Sequence, residues 1–263
     1  MAKIVLEVCV DSPASLLAAV RGGAGRIELC SSLALSGLTP SPGLMRLAAT
    51  TGVPAHAMIR PHPGAYVYSD TDIDVMRDDL KVTAAAGLPG AVIGANLASG
   101  ALDTERLVAL CDHARGLGLK LTLHRAFDLA PDQAAALESA IDLGFERVLT
   151  SGGARTAPEG ADRIAALVDQ AAGRIAVMPG SGLTPTNLAA VMRRTGAGEA
   201  HGSCGRVVSS RPLDPAQLAK AEILGFISSR DRETDEHVVA EMVAILARLS
   251  EDRLRGAQSS GQE

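Results

Sequence analysis

The stretch IVLEVCVDSPASLLAAVRGGAGRIELC, residues 4–30, decides the fold of this chain. The β-branched run Ile4–Val10 predicts a strand. Ser12-Pro13 then opens an Ala/Leu-rich helix over Pro13–Arg21, with proline in the first turn, where its missing N–H is harmless. Gly22 closes the helix and Arg26–Leu29 begins a second strand. Such a strand–helix–strand unit is a crossover between parallel neighbours. The pattern recurs along the chain without a tandem repeat. Further strands are predicted over Val53–Ile59, Gly90–Ile93, Lys120–His124, Arg147–Thr150, Arg174–Pro179 and Glu199–Gly202. Helices are predicted over Ser41–Thr50, Thr71–Ala86, Asp103–Gly116, Pro131–Leu143, Gly160–Ala172 and Thr184–Arg194. Eight strands separated by seven helices within 263 residues favour an α/β, single-domain (β/α)8 TIM barrel over a doubly wound sheet. Beyond strand eight, residues 203–211 read as a loop. Extra C-terminal helices follow over Pro215–Leu224 and Asp235–Leu249, the latter with an apolar stripe through Val238, Val239, Met242, Val243, Leu246 and Leu249. The barrel domain is expected over residues 1–255, with a frayed polar tail over 256–263.

Composition narrows the partners. Apolar residues make up 47% and charged residues 21%, enough for a large core and too apolar for a disordered chain. The net charge of −5 and the lack of a Lys/Arg cluster argue against nucleic acid or an anionic membrane as partner. Aromatics are only 2%, with no Trp, so base- or sugar-stacking platforms are scarce. No apolar run approaches the roughly 18 residues of a membrane span. The start MAKIVLE lacks a signal peptide's apolar core, so a cytoplasmic location is expected. Cys9, Cys30, Cys111 and Cys204 are far apart and form no CxxC pair, which disfavours a zinc knuckle or a thioredoxin-type motif.

Side chains alternate across a strand, so one choice of parity places the inward set. Glu7 and Cys9 share a face, as do Glu28 and Cys30, then His56, Met58 and Arg60, then Thr122 and His124, and last Glu199 and His201. The opposite faces carry Leu6, Val8, Ile27, Leu29, Ile59, Leu121 and Leu123, suited to a helix ring. The polar set is therefore expected inside the barrel, with Glu7, Glu28, Arg60, Glu199 and His201 crowding one half of the mouth. Two readings follow: an internal salt-bridge network, for instance Arg60 with Glu7 or Glu28, or a binding and catalytic mouth.

The loops favour the mouth. Residues 60–69, RPHPGAYVYS, form a long loop after strand three that holds both tyrosines. Strand five ends in His124-Arg125-Ala126-Phe127-Asp128, a base, a cation and a carboxylate together. Strand six ends in Thr150-Ser151-Gly152-Gly153 and strand seven in Gly180-Ser181-Gly182, turns whose N–H groups can cradle an anion. Arg60, Arg125, Asp128, Ser151, Gly152, Gly180 and Gly182 are the expected substrate-binding residues.

The segments LEVCVDS (6–12), RIELCS (26–31), GLTPS (37–41), MIRP (58–61), HRAFD (124–128), LTSG (149–152) and EAHGS (199–203) are similar to those of the CutC family, in order across residues 4–205. Ser36, His62, Pro63 and the Gly180-Ser181-Gly182 run depart from that family's pattern and bear on loop shape. The resemblance implies a TIM barrel and a cytoplasmic, copper-binding, oligomeric protein of copper homeostasis. A homodimer is expected, two-fold assemblies being the commonest. Cu(I) prefers soft ligands, and Cys9, Cys30 and Met58 have the inward parity to supply them. Glu7, Glu28, His124 and His201 are the set for a harder metal.

A metal carrier has no need of several glutamates, an arginine and histidines in one mouth. The second reading is therefore a lyase, isomerase or hydrolase acting on a small phosphorylated or anionic metabolite. Arg60 would hold the anion, and Glu7, Glu28 or His124 would move protons, with Glu199 and His201 in the same catalytic set. No lysine sits at an inward strand end, which disfavours a Schiff base, and no GxGxxG marks a nicotinamide site. A third reading is a vestigial barrel that only binds partners.

Overall fold

The computed structural model describes residues 3–208, 213–227 and 231–259. Residues 3–202 alternate strand and helix: β1 (Val5–Val10), α1 (Pro13–Arg21), β2 (Arg26–Leu29), α2 (Pro42–Ala49), β3 (Ala55–Met58), α3 (Asp70–Ala85), β4 (Gly90–Ile93), α4 (Thr104–Gly116), β5 (Lys120–Leu123), α5 (Gln133–Asp142), β6 (Arg147–Thr150), α6 (Ala161–Ala171), β7 (Ala176–Pro179), α7 (Pro185–Thr195) and β8 (Glu199–Gly202). The strands hydrogen-bond in parallel from β7 through β1 to β8, and β7 and β8 come together to bring the sheet nearly round to a closed barrel. Local chemistry agrees with this path. Ser12, Ser41, Ser69 and Asp132 each accept a backbone N–H at the start of a helix, and proline fills the first turn of α1, α2 and α7.

The outward strand residues Leu6, Val8, Ile27, Leu29, Ile59, Leu121 and Leu123 pack with the helices in the main core. Inside the barrel Cys30, Met58 and Val92 form a separate small apolar cluster. The register sets Cys9 beside Glu28, Glu7 beside His201, and Glu28 beside His56. The inward parity read from the sequence is thus the observed one for these strands.

After β8 the chain forms β9 (Gly205–Val207), α8 (Pro215–Ile223), β10 (Arg232–Thr234) and α9 (Glu236–Ser259), with β9 and β10 paired antiparallel. This ribbon replaces the loop expected over residues 203–211, whose last three residues lie outside the described ones. Two three-residue strands are too short to show a period-2 pattern. The α9 stripe buries Val239, Met242, Leu246 and Leu249 against the barrel. It is α9, packed beside α1 and α7, that completes the outer ring. The helix runs past Leu249 to Ser259, and residues 260–263 lie outside the described ones. No described helix is long and apolar enough to cross a membrane.

Candidate functional site

At the end of the barrel where the strands finish, a cavity of about 1070 Å³ opens. Cys9, Glu28, Met58, Arg60, His124, Arg125, Asp128, Gly182 and His201 line it, drawn from most of the strands. Such placement is intrinsic to the fold, because loops and strand ends at this face converge on one volume.

The opposite end of the lumen is a closed ion network. Arg26 contacts both Glu7 and Glu199, and Arg147 reaches Glu199 at 3.2 Å and Thr122 Oγ1 at 3.1 Å. Glu199 is therefore corrected as a mouth residue. It opens β8, level with Val5, and points into the far end, where the two arginines neutralise it. A salt-bridge network does exist, but Arg60 pairs with neither Glu7 nor Glu28; Arg26 and Arg147 carry it. Glu7 lies between the two ends and is fully buried. His201 Nδ1 donates to Glu7 Oε1 at 2.9 Å.

Glu28 has a different environment. His201 Nε2 stands 3.7 Å from its Oε2, the Cys30 thiol donates to that same oxygen at 3.6 Å, and its Oε1 is buried with no hydrogen-bond partner among the described residues. Burial pushes the Glu28 carboxyl above its ordinary range, and the charge of Glu7 adds to this against the opposing pull of His201. Burial also pushes Glu7 up, but Arg26 and His201 outweigh it and hold that carboxyl well below the ordinary range. Desolvation pushes His201 down, but Glu28, then Cys9, then the hydrogen bond to Glu7 outweigh it and hold the ring well above its ordinary range, which favours the imidazolium. The centre therefore couples a carboxyl held low, a ring held high and a second carboxyl held high, with the ring beside both carboxyls.

Arg60 clasps the loops. Its Nη1 donates to the carbonyls of Leu35 (2.7 Å) and Gly37 (2.9 Å), its Nη2 to that of Gly64 (3.1 Å), and its Cζ lies 4.8 Å from the Tyr66 ring centroid. Among the described residues no carboxylate hydrogen-bonds to Arg60, so a positive group faces the cavity. His124 is buried, and desolvation followed by the charge of Arg60 pushes its pKa down to about 3. It is neutral at ordinary pH, and a pKa that low makes it a weak base for the proton transfer expected from sequence.

The glycine turn after β6 is not an open cradle. Asp128 already accepts the backbone N–H groups of Ser151 (3.1 Å) and Gly153 (3.1 Å), and Thr150 Oγ1 takes that of Gly152 (2.8 Å). Arg125 donates to Asp128 (2.7 Å) and to Ser151 Oγ (2.7 Å). Asp128, Ser151 and Gly152 thus form an internal anchor rather than the expected anion site, because a protein carboxylate occupies the donors first. After β7, Gly180 gives its N–H to the Thr150 carbonyl, while Ser181, Gly182, Leu183 and Thr184 line the cavity at the start of α7.

For a metal, the described residues bring Cys9, Glu28 and His201 together, with one ligand atom of each within 4.8 Å of the others. Met58 lines the cavity, but Cys30 is sealed from it: a Cβ on Gly37, which has φ +83°, would lie 3.0 Å from its sulfur. Burial and the neighbouring Glu28 push the Cys30 thiol well above its ordinary range, against the thiolate a metal needs. Cys111 and Cys204 are buried thiols held up to about 12 by burial. Among the lining residues that sequence reading did not assign are Tyr66, Asp11 and the 231–234 segment. The long tyrosine-bearing loop was a signal for the first, while nothing in the sequence places β10 over the mouth.

Comparison with known proteins gives one family. The profile of the CutC family matches residues 4–206. The CutC protein of Caulobacter vibrioides is 52% identical over 247 residues, covering 94% of this chain and 98% of that protein. That of Rhizobium meliloti is 51% identical over 249 residues, covering 95% and 97%. Among solved structures, CutC from Streptococcus agalactiae, named for copper homeostasis, superposes with a TM-score of 0.72 at 32% identity over 76% of this chain and 98% of that one.

Proposed function

This chain belongs to the CutC family, and from that premise we propose that its barrel mouth is a proton-transfer site for a small anionic, oxygen-rich metabolite, an enzyme of the lyase, isomerase or hydrolase kind. The observation that carries the reading is the contrast between two buried carboxylates. Asp128 is saturated with donors, as a structural carboxylate should be. Glu28, on the cavity wall, keeps one oxygen without a partner among the described residues and has its pKa raised. In this reading Glu28 takes a proton from the substrate, the His201 imidazolium offers one, and Arg60 contributes the positive field that draws an anion.

A panel of phosphorylated and carboxylated metabolites tests this by thermal shift. At least one compound is expected to raise the Tm, since ligand at 100 times its Kd adds about 2.7 kcal/mol. The same compound is expected to be turned over with an acid limb above the ordinary glutamate range (~4.3). The sign follows from Glu28, whose base form is lost as pH falls through its raised pKa. A panel with neither stabilisation nor turnover overturns the reading.

A second reading has its own observation, the juxtaposition of Cys9 with Glu28 and His201. Here a copper ion is cargo, held by Cys9 and His201 with Glu28 beside them, and Cys30 plays no direct part. An anaerobic Cu(I) titration against a competing chelator is expected to show Cys9→Ser weakened by at least ~100-fold, about 2.7 kcal/mol, with Cys30→Ser close to wild type. Equal affinity in wild type and Cys9→Ser sinks the copper site. Either reading suits the reducing cytoplasm, where the four free cysteines stay thiols. A homodimer is proposed for both.

A further inference from the structure

His124 is built as a hydrogen-bond donor. Its backbone N–H extends the β5 pairing to the Ile93 carbonyl, which sets the ring at the cavity wall. Its Nδ1 accepts the backbone N–H of Ala126 at 3.1 Å, opening the 3-10 turn Arg125–Leu129. A backbone amide can only donate, so Nδ1 carries no proton, and the single proton of the neutral ring sits on Nε2. That Nε2 is buried and has no hydrogen-bond partner among the described residues. The ring is 2% exposed and has room only because position 94 is glycine: a Cβ there would stand 2.4 Å from Cε1 and 2.6 Å from Nδ1. Tyr66 covers it, with ring centroids 4.6 Å apart, and Tyr66 itself is held at φ +62°. This left-handed conformation is strained for an aromatic residue and is kept where the surroundings enforce it. Arg60 also lies over that tyrosine, its Cζ 4.8 Å from the ring centroid.

We propose that His124 is a ligand-binding residue of fixed tautomer, whose Nε2–H receives a carbonyl or carboxylate oxygen of the molecule in the mouth. The proposal rests on the proton-transfer reading and adds the substrate's chemistry: an acceptor oxygen that binds against a neutral imidazole, without giving or taking that ring's proton. An orphaned, dry N–H is the costly state of the empty site, and an acceptor oxygen relieves it. If a neighbouring carbon loses its proton to Glu28, the C–H pair moves into the new C=C bond, and the charge arriving on oxygen faces this donor.

The test uses full-length protein with 15N-labelled histidine and glycolate as probe. Long-range proton–nitrogen correlations are expected to show His124 with a protonated Nε2 and a bare Nδ1 from pH 8 to pH 5. Saturating glycolate is expected to move the Nε2–H resonance and leave Nδ1 bare. His124→Phe, which keeps a ring and removes the donor, is expected to bind glycolate roughly tenfold or more weaker. His124→Gln, which keeps a donor near that position, is expected to stay within about threefold of wild type. A bare Nε2, or a ring that titrates between pH 8 and 5, overturns the proposal even if the proton-transfer reading stands. So does glycolate binding that leaves Nε2–H unmoved. If glycolate and the metabolite panel all fail to bind, both ideas fall together.

Discussion

Replacing Arg26 with methionine is expected to remove about 3–5 kcal/mol of stability, the range for taking one partner from a buried ion pair. Domains of this kind are stable by only about 5–15 kcal/mol. Arg26 contacts two carboxylates from the floor of the lumen, and its side chain is 8% exposed. Methionine keeps much of the volume but leaves Glu7, fully buried, with His201 as its remaining charged partner. Glu199 would keep Arg147. Linkage gives the pH sense. Glu7 is held below its ordinary pKa in the fold, so its contribution is present above the unfolded value and is lost as pH falls through the folded one. Without Arg26 its pKa rises, and that contribution shrinks at neutral pH. Urea melts of wild type and Arg26→Met at pH 7 check this, and a loss under about 1 kcal/mol would show that the network is not needed. The double variant Arg26→Met/Glu7→Gln is expected to recover part of the loss, because the uncompensated charge is then gone.

The second large effect is on chemistry. Glu28→Gln is expected to lower turnover of whichever metabolite the panel identifies by roughly 10²–10⁴-fold, the usual worth of a positioned proton-transfer group. Stability at neutral pH is expected to hold or rise. The folded pKa of Glu28 is raised, so the folded state binds more protons than the unfolded one, and stability falls as pH climbs from the ordinary glutamate value through the raised one. Glutamine removes that penalty while its carbonyl oxygen can still accept from the Cys30 thiol. His201 keeps its bond to Glu7 in the variant. Intact fold with lost turnover supports the base. Full turnover in Glu28→Gln would reduce Glu28 to a tolerated buried acid.

Much of the site was legible because strands alternate. Once Leu6, Val8, Ile27 and Leu29 are assigned to the helix ring, Glu7, Cys9, Glu28 and Cys30 have nowhere to face but the lumen. The same parity holds Arg26 and Arg147, which open β2 and β6 with inward side chains, yet both read as the polar flank of a strand. Parity says inside or outside; it does not say at what height along the barrel axis. Glu199 and His201 share a face, but two residues of rise separate the far floor from the mouth, and Glu199 belongs to the floor. Composition likewise cannot tell an open glycine turn from one already filled. The amides of Ser151 and Gly153 follow a strand as an anion cradle would, but Asp128, twenty-odd residues earlier, folds back into them.

By itself, then, the sequence determined the eight strand–helix units, the inward set and the family resemblance, because these depend on local periodicity and on short contiguous motifs. Tertiary structure alone decided which inward charges neutralise one another, that Cys30 is sealed while Cys9 faces the cavity, that His124 presents a proton on Nε2, and that α9 rather than α8 completes the ring. Each of those outcomes depends on distances between residues far apart in the chain, and hydrogen bonding, desolvation and ion pairing act through distance, which no periodicity encodes.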